Sequence, residues 1–205
     1  MYSQQPQRIV LGGMVGTGKS TFAFSLERAL SADPDVPSVG LHEIDPYSDT
    51  HAMIAGTKSP AERLKKAKVD FERVLVPRIV EFKQDESAVV LGDLPGKLTN
   101  PRMGEMVAHA THAIVVGRHP VAKDASNRNH RSTNDWLAFF ERRGTPVIAR
   151  IQSVLAGQEA WQGFLQIEGL SRVPLPNHPT VHEVKDTIKT LMGIGPQLEL
   201  VASAA

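Results

Sequence analysis

Gly13-Met14-Val15-Gly16-Thr17-Gly18-Lys19-Ser20 fits the pattern G-x-x-x-x-G-K-[ST] at every fixed position. The apolar run Ile9-Val10-Leu11, closed by Gly12-Gly13, precedes it and reads as a strand. Ser20 to Leu30 follows it and reads as a helix, with Phe22, Leu26 and Leu30 at a spacing of four. A strand that turns through small residues into a helix is the context this spacing requires. Glycines let backbone amides turn inward around phosphate oxygens, where a side chain would clash. The helix start adds unpaired N–H donors and the positive end of a dipole. Lys19 brings a mobile cation to terminal phosphates, Ser20 a hydroxyl for Mg²⁺, and Thr21 a contact to a further phosphate oxygen. Gly13, Val15, Gly16, Thr17, Gly18, Lys19, Ser20 and Thr21 are therefore the expected binding set for a nucleoside triphosphate. The competing reading is a glycine-rich turn that binds nothing, and the flanking strand and helix weigh against it.

Working outward, apolar strands alternate with helical patterns. Ser38–Ile44, Ala88–Leu91, Ala113–Val116 and Pro146–Ile151 read as strands, and Gly163–Gly169 as a weaker sixth. A long helix is expected from Ser59 to about Lys83, opened by Ser59-Pro60-Ala61-Glu62 as a capping box and kinked at Pro77. Further helices are expected at Met103–His109, at Asn134–Arg143 (ended by Gly144) and at Val181–Met192. Pro46–Ser59 reads as a loop and Pro120–Ser132 as a polar, basic insertion. This alternation predicts an α/β fold, a three-layer sandwich whose mainly parallel sheet carries helices on both faces. A single domain over 1–193 with a tail at 194–205 is expected. Ligands on such sheets bind at the carboxyl ends of strands, so the loops after Leu11, Ile44, Leu91, Val116 and Ile151 should carry function.

Those loops hold the remaining candidates. Asp93 ends the buried strand Val89-Val90-Leu91-Gly92-Asp93 and is expected, with Ser20, to hold Mg²⁺; its bland reading is a carboxylate capping the next turn. Asp45, in Ile44-Asp45-Pro46-Tyr47, is a candidate general base for an acceptor hydroxyl or a support for Mg²⁺, against a solvated Asp-Pro turn. Asp49 and His51 are lesser candidates there. Arg118, Lys123, Arg128 and Arg131 crowd the insertion and would form a cationic lid over a transferring phosphate, with Arg128 and Arg131 the expected lid cations. An ordinary solvated loop is the alternative. Asp93-Leu94-Pro95-Gly96 matches D-x-x-G, but neither Gly117-Arg118-His119-Pro120 nor Gln152-Ser153-Val154 carries an N-K-x-D-like guanine reader, so ATP is expected over GTP. The pairs His109/His112 and His178/His182 lack the partners of a transition-metal site. Trp136, Phe139 and Phe140 read as helix core rather than a stacking platform.

Composition narrows the class without naming a substrate. The 205 residues hold 23 Lys and Arg against 22 Asp and Glu, net +1, which points away from a dedicated nucleic-acid binder. Cys is 0, which removes a disulfide framework, a thiolate metal site and a thiol nucleophile. The N-terminal stretch has no apolar core of signal-peptide length, and no run is long enough for a membrane span. A cytoplasmic location without membrane association is the expectation.

The Gly13–Ser20 loop together with the Asp93 strand resembles the P-loop NTPase superfamily across most of residues 8–192, although only a dozen residues are diagnostic. That resemblance implies the P-loop NTPase fold, a nucleoside triphosphate and Mg²⁺, and leaves open whether phosphate goes to water or to an acceptor. A narrower resemblance lies in Val89–Gly96, Ala110–Val116, and Asp135-Trp136 with Pro146–Ala149. These segments look similar to the P-loop domain fused to the CRISPR-associated ring nuclease that degrades cyclic oligoadenylate, which implies a nucleotide-dependent accessory module. The nuclease part is not apparent here and the insertion around Arg128 is extra, so nuclease activity is not carried over. A deviant Walker loop of the ParA or CO-dehydrogenase-maturation type needs a second Lys where this chain has Met14, which counts against that dimerising group. The expected function is a kinase-like phosphotransferase for an unidentified small-molecule or protein acceptor, with a regulatory ATPase or GTPase module as its rival. A homodimer is one expected assembly.

Overall fold

The computed structural model describes residues 5–45, 54, 71–98, 102–118, 132–154, 158–168, 170 and 173–194. Its elements run β1 (Gln7–Gly12), α1 (Lys19–Ser31), β2 (Val39–Glu43), α2 (Phe71–Gln84), β3 (Val89–Asp93), α3 (Met103–Val107), β4 (His112–Arg118), α4 (Thr133–Arg142), β5 (Val147–Val154), β6 (Leu165–Glu168) and α5 (Pro179–Leu191). The strands form a six-stranded sheet in the order β2-β3-β1-β4-β5-β6. Every neighbouring pair is parallel. The expected three-layer α/β architecture is what the chain adopts.

Parallel strands need crossover helices, and the helices cover both faces of the sheet. On one face Ile9, Leu11, Ile114, Val116 and Ile151 pack with Phe22, Leu26 and Leu30 of α1 and Val181, Val184 and Ile188 of α5. On the other, Val10, Val90, Ala113 and Val115 pack with Leu75, Ile79 and Phe82 of α2, Met103 and Met106 of α3, and Trp136 and Phe140 of α4. The alternation along β1 explains the division, since successive side chains leave a strand on opposite faces. Phe22, Leu26 and Leu30 are fully buried, and each such side chain contributes about 1.5–3 kcal/mol. Trp136 and Phe140 are core residues, as expected, and Phe139, expected with them, is partly buried against the same cluster. Their rings press on Gly12, where an added Cβ would come within 2.6 Å of the indole.

Local signals set the helix ends. Ser132 and Asp135 form a reciprocal capping box at α4. Gly144 follows α4 with φ +65°. His178 caps α5, its Nδ1 accepting from the Thr180 amide at 3.2 Å. Pro77 sits within α2, on an exposed position. At the far end of α1, Asp33 accepts from Lys185 (2.8 Å) and Lys189 (3.0 and 3.1 Å), tying α1 to α5. Ile194 packs against the α1–α5 core. The expected start of the long helix at Ser59–Glu62, the lid residues Lys123, Arg128 and Arg131, Asp49, His51 and residues 195–205 lie outside the described residues.

Candidate functional site

At the carboxyl edge of the sheet, β1 ends at the centre and the chain turns through Gly13–Gly18 into α1. Gly13 has φ +152°, and a Cβ there would lie 2.2 Å from the Val116 carbonyl oxygen of β4. Strand and loop thus approach closer than any side chain permits. Gly18 has φ +85° and stands as the N-cap of α1 with no side-chain cap hydrogen bond. The first turn of α1 contains no acidic residue. A helix start without an internal carboxylate keeps its N–H donors and positive dipole end for an external anion. Thr17 braces the loop, its hydroxyl donating to the Met14 carbonyl at 3.0 Å. Val15 is exposed, whereas Met14 is buried with the α2–α4 face core.

Lys19 and Asp93 meet in a buried ion pair, Lys19 Nζ donating to Asp93 Oδ1. Asp93 is fully buried. Its Oδ2 is also buried and has no hydrogen-bond partner among the described residues. A buried carboxylate oxygen without a partner costs free energy unless a donor or cation meets it. Ser20, one residue after Lys19, supplies a hydroxyl in the first turn of α1. A hard divalent cation prefers this oxygen donor set, so the residues present fit Mg²⁺.

The neighbouring loops are pinned to this pair. Ile44 and Asp45 both donate backbone N–H to the Asp93 carbonyl, at 3.0 and 3.2 Å. Arg78 Nη1 donates to the carbonyls of Glu43 (2.7 Å) and Asp45 (2.8 Å). The fold therefore brings Asp45 beside Asp93, with its backbone N–H and C=O both hydrogen-bonded. Past β3, the Leu94 amide donates to the Leu11 carbonyl at 3.1 Å. A Cβ on Gly96 would lie 2.7 Å from the Val15 nitrogen, so the Asp93–Gly96 turn rests on the Gly13–Gly18 loop.

The opposite flank holds residues that motif reading did not connect to the site. Leu170, after β6, covers Gly18, with its Cβ 2.8 Å from a Cβ added there. Gln152, fully buried in β5, donates Nε2–H to the Glu159 carbonyl (2.9 Å) and accepts from the Trp161 amide at Oε1 (2.7 Å). Its amide therefore orders the 158–161 segment. No local signal around Leu170 announces its place over Gly18, because that approach joins the first helix to a segment far along the chain, whereas Gln152 reaches residues only 7 and 9 positions further on. His109 and His112 lie away from this edge. Burial pushes both imidazoles below the usual range, with Lys83 and Arg8 adding to the effect at His109. Among the described residues no group of three or more His, Asp or Glu side chains could hold a metal ion. No helix among them is long and apolar enough to cross a membrane.

Comparison with known proteins defines the class of fold. The chain matches the MinD cell division protein of Aquifex aeolicus with a TM-score of 0.56 at 16% identity, covering 92% of this chain and 98% of that one. It matches a chain of the MinC:MinD complex of the same organism with a TM-score of 0.56 at 14% identity, over 94% and 98%. A plasmid-partition-type protein of Borrelia burgdorferi B31, solved bound to AMPPNP, follows with a TM-score of 0.52 at 13% identity, over 92% and 98%. No protein-family model and no curated protein matches the chain. The chain has the P-loop NTPase fold. At these identities the likeness concerns the backbone path.

Proposed function

We propose that the chain binds a Mg²⁺ nucleoside triphosphate, ATP in preference to GTP, and transfers the terminal phosphoryl group to an acceptor, as a kinase-like phosphotransferase. The observation that carries this reading is the buried Lys19–Asp93 pair beside an uncapped helix start, with Asp93 Oδ2 lacking a partner. Amides of Gly13–Thr21 and the Lys19 ammonium neutralise charge that develops on the phosphoryl oxygens. Ser20 and Asp93 would hold Mg²⁺, which when bound supplies further neutralisation at the terminal phosphates. Asp45 orients the acceptor hydroxyl and takes its proton. Arg128 and Arg131 belong to the proposal as lid cations on sequence grounds. The acceptor is a small molecule or a protein.

Lys19→Ala should abolish turnover of ATP in purified protein, and an unchanged rate would remove the core of the proposal. Asp45→Asn separates transfer from hydrolysis. Loss of acceptor phosphorylation with hydrolysis intact supports the kinase, and equal loss of both points to support of Mg²⁺ instead.

A second reading is a regulatory NTPase, in line with the accessory module that the segment resemblance implies. The contact between Gly96 and Val15 favours it, because the turn after Asp93 rests directly on the loop that would hold the terminal phosphate. Such a module would hydrolyse ATP slowly, be stimulated by a protein or nucleic-acid partner, and phosphorylate no small acceptor.

A further inference from the structure

Arg118 is the last residue of β4, the strand beside β1 on the side away from β3. A Cβ added at Gly16 would lie 3.5 Å from Arg118 Nη2, 3.7 Å from Cζ and 4.0 Å from Nη1. Three atoms of a planar group at such similar distances place the guanidinium against the crown of the loop. Gly16 has φ +77° there, a conformation that favours glycine. By strand alternation Arg118 shares the side of Ile114 and Val116, the face on which α1 packs. Lys19 and Asp93 occupy the other flank, toward β3. A polyphosphate with its terminal group at Lys19 and Asp93 that crosses the loop would bring its non-transferred phosphates toward β4.

We propose that Arg118 is a nucleotide-binding residue that grips the non-transferred phosphates, a role distinct from that of a lid cation over the phosphate in flight. The proposal rests on the nucleotide site described above. Guanidinium is a rigid fork of five N–H donors suited to phosphate oxygens, so an existing contact does not exhaust it. Its bonds to phosphate are charge-assisted. The position is fixed by β4, whose register with β1 pairs Leu11 with Ile114 and Gly12 with Val115. A cation held on a strand is already in place before ligand arrives, so its contribution should be the same for a diphosphate and a triphosphate.

The test is calorimetric titration of wild type, Arg118→Ala and Arg118→Lys with MgADP and MgATP, with thermal melts to verify folding. Arg118→Ala should weaken ADP and ATP by a similar factor, about tenfold or more, with Arg118→Lys recovering part of the loss. The rate at saturating ATP should change less than the affinity. Unchanged ADP affinity in a folded Arg118→Ala or Arg118→Lys protein overturns the proposal, and so does a loss confined to ATP. Wild type that binds neither nucleotide overturns the underlying site as well, which separates the two failures.

Discussion

Two carboxylates lie at the two ends of α1, each facing lysine, and they are finished differently. Asp33, just past the C-terminal end, has both oxygens occupied: Oδ1 accepts from Lys189, and Oδ2 accepts from Lys185 and Lys189. Asp93, beside the N-terminal end, has Oδ1 on Lys19 and Oδ2 on nothing among the described residues. A completed cluster has no capacity left and acts as a clasp between α1 and α5. An incomplete one carries a desolvation cost that a ligand can remove. The difference teaches where to look for binding: at the charge whose partners are too few, rather than at the cluster with most ion pairs.

The largest expected effect lies at the incomplete end. Asp93→Asn should lower Mg²⁺-dependent turnover by about 10²–10³-fold, the size seen when one preorganised charge-stabilising group is lost. Steady-state ATPase or kinase assays across a Mg²⁺ titration measure it. A drop in turnover no larger than the fraction of protein unfolded would break the contrast, because Asp93 would then be a clasp like Asp33.

A smaller effect, of a different kind, belongs to the clasp. The lysines Lys185 and Lys189 hold the Asp33 carboxyl well below the usual carboxylate range. Its folded-state pKa is therefore below its unfolded one, so the stabilisation is fully present above about pH 4 and fades as the pH falls below that. Asp33→Asn should lower the melting temperature by roughly 2–4 °C at pH 7, the shift of about 1 kcal/mol in a chain of this size. The gap should narrow at pH 3.5, and turnover per folded molecule should stay unchanged. Scanning calorimetry at the two pH values checks the sign: a gap that widens in acid contradicts it.

The smallest effect is expected at Asp35, which accepts from Lys189 at 2.8 Å with its side chain 61% exposed. Solvent screens such a pair, so Asp35→Asn should move the melting temperature by less than about 1 °C. A shift as large as that of Asp33→Asn would mean that the cluster acts as a unit rather than through its buried member.

Much of the site is legible locally. The Gly13–Ser20 spacing, the apolar strand before it and the four-residue period of Phe22, Leu26 and Leu30 set the loop, α1 and the sheet class. Asp93 is readable too, as a carboxylate ending a strand buried on both sides. Asp45, two residues past β2, is readable at the carboxyl edge of the sheet, the same edge as Asp93. These features are local because backbone hydrogen bonding imposes periods of 2 and 3.6 on the residues that form them. Trp136 and Phe140 were readable as core for the same reason, although not the pressure of their rings on Gly12.

Other features exist only once the strands stand in the order β2-β3-β1-β4-β5-β6. Leu170 over Gly18, Arg118 against Gly16 and the Asp33–Lys185 pair, 152 positions apart, all join residues with no periodic relation in the chain. Strand register and helix packing bring them together, and a one-residue slip along β4 would turn Arg118 to the opposite face. The linear order of residues thus determined that this chain turns through a glycine-rich loop from its first strand into its first helix, the candidate anion cradle. Only the packed sheet decided which distant side chains frame that cradle, because side-chain meetings across strands depend on three-dimensional register, which local backbone preference does not encode.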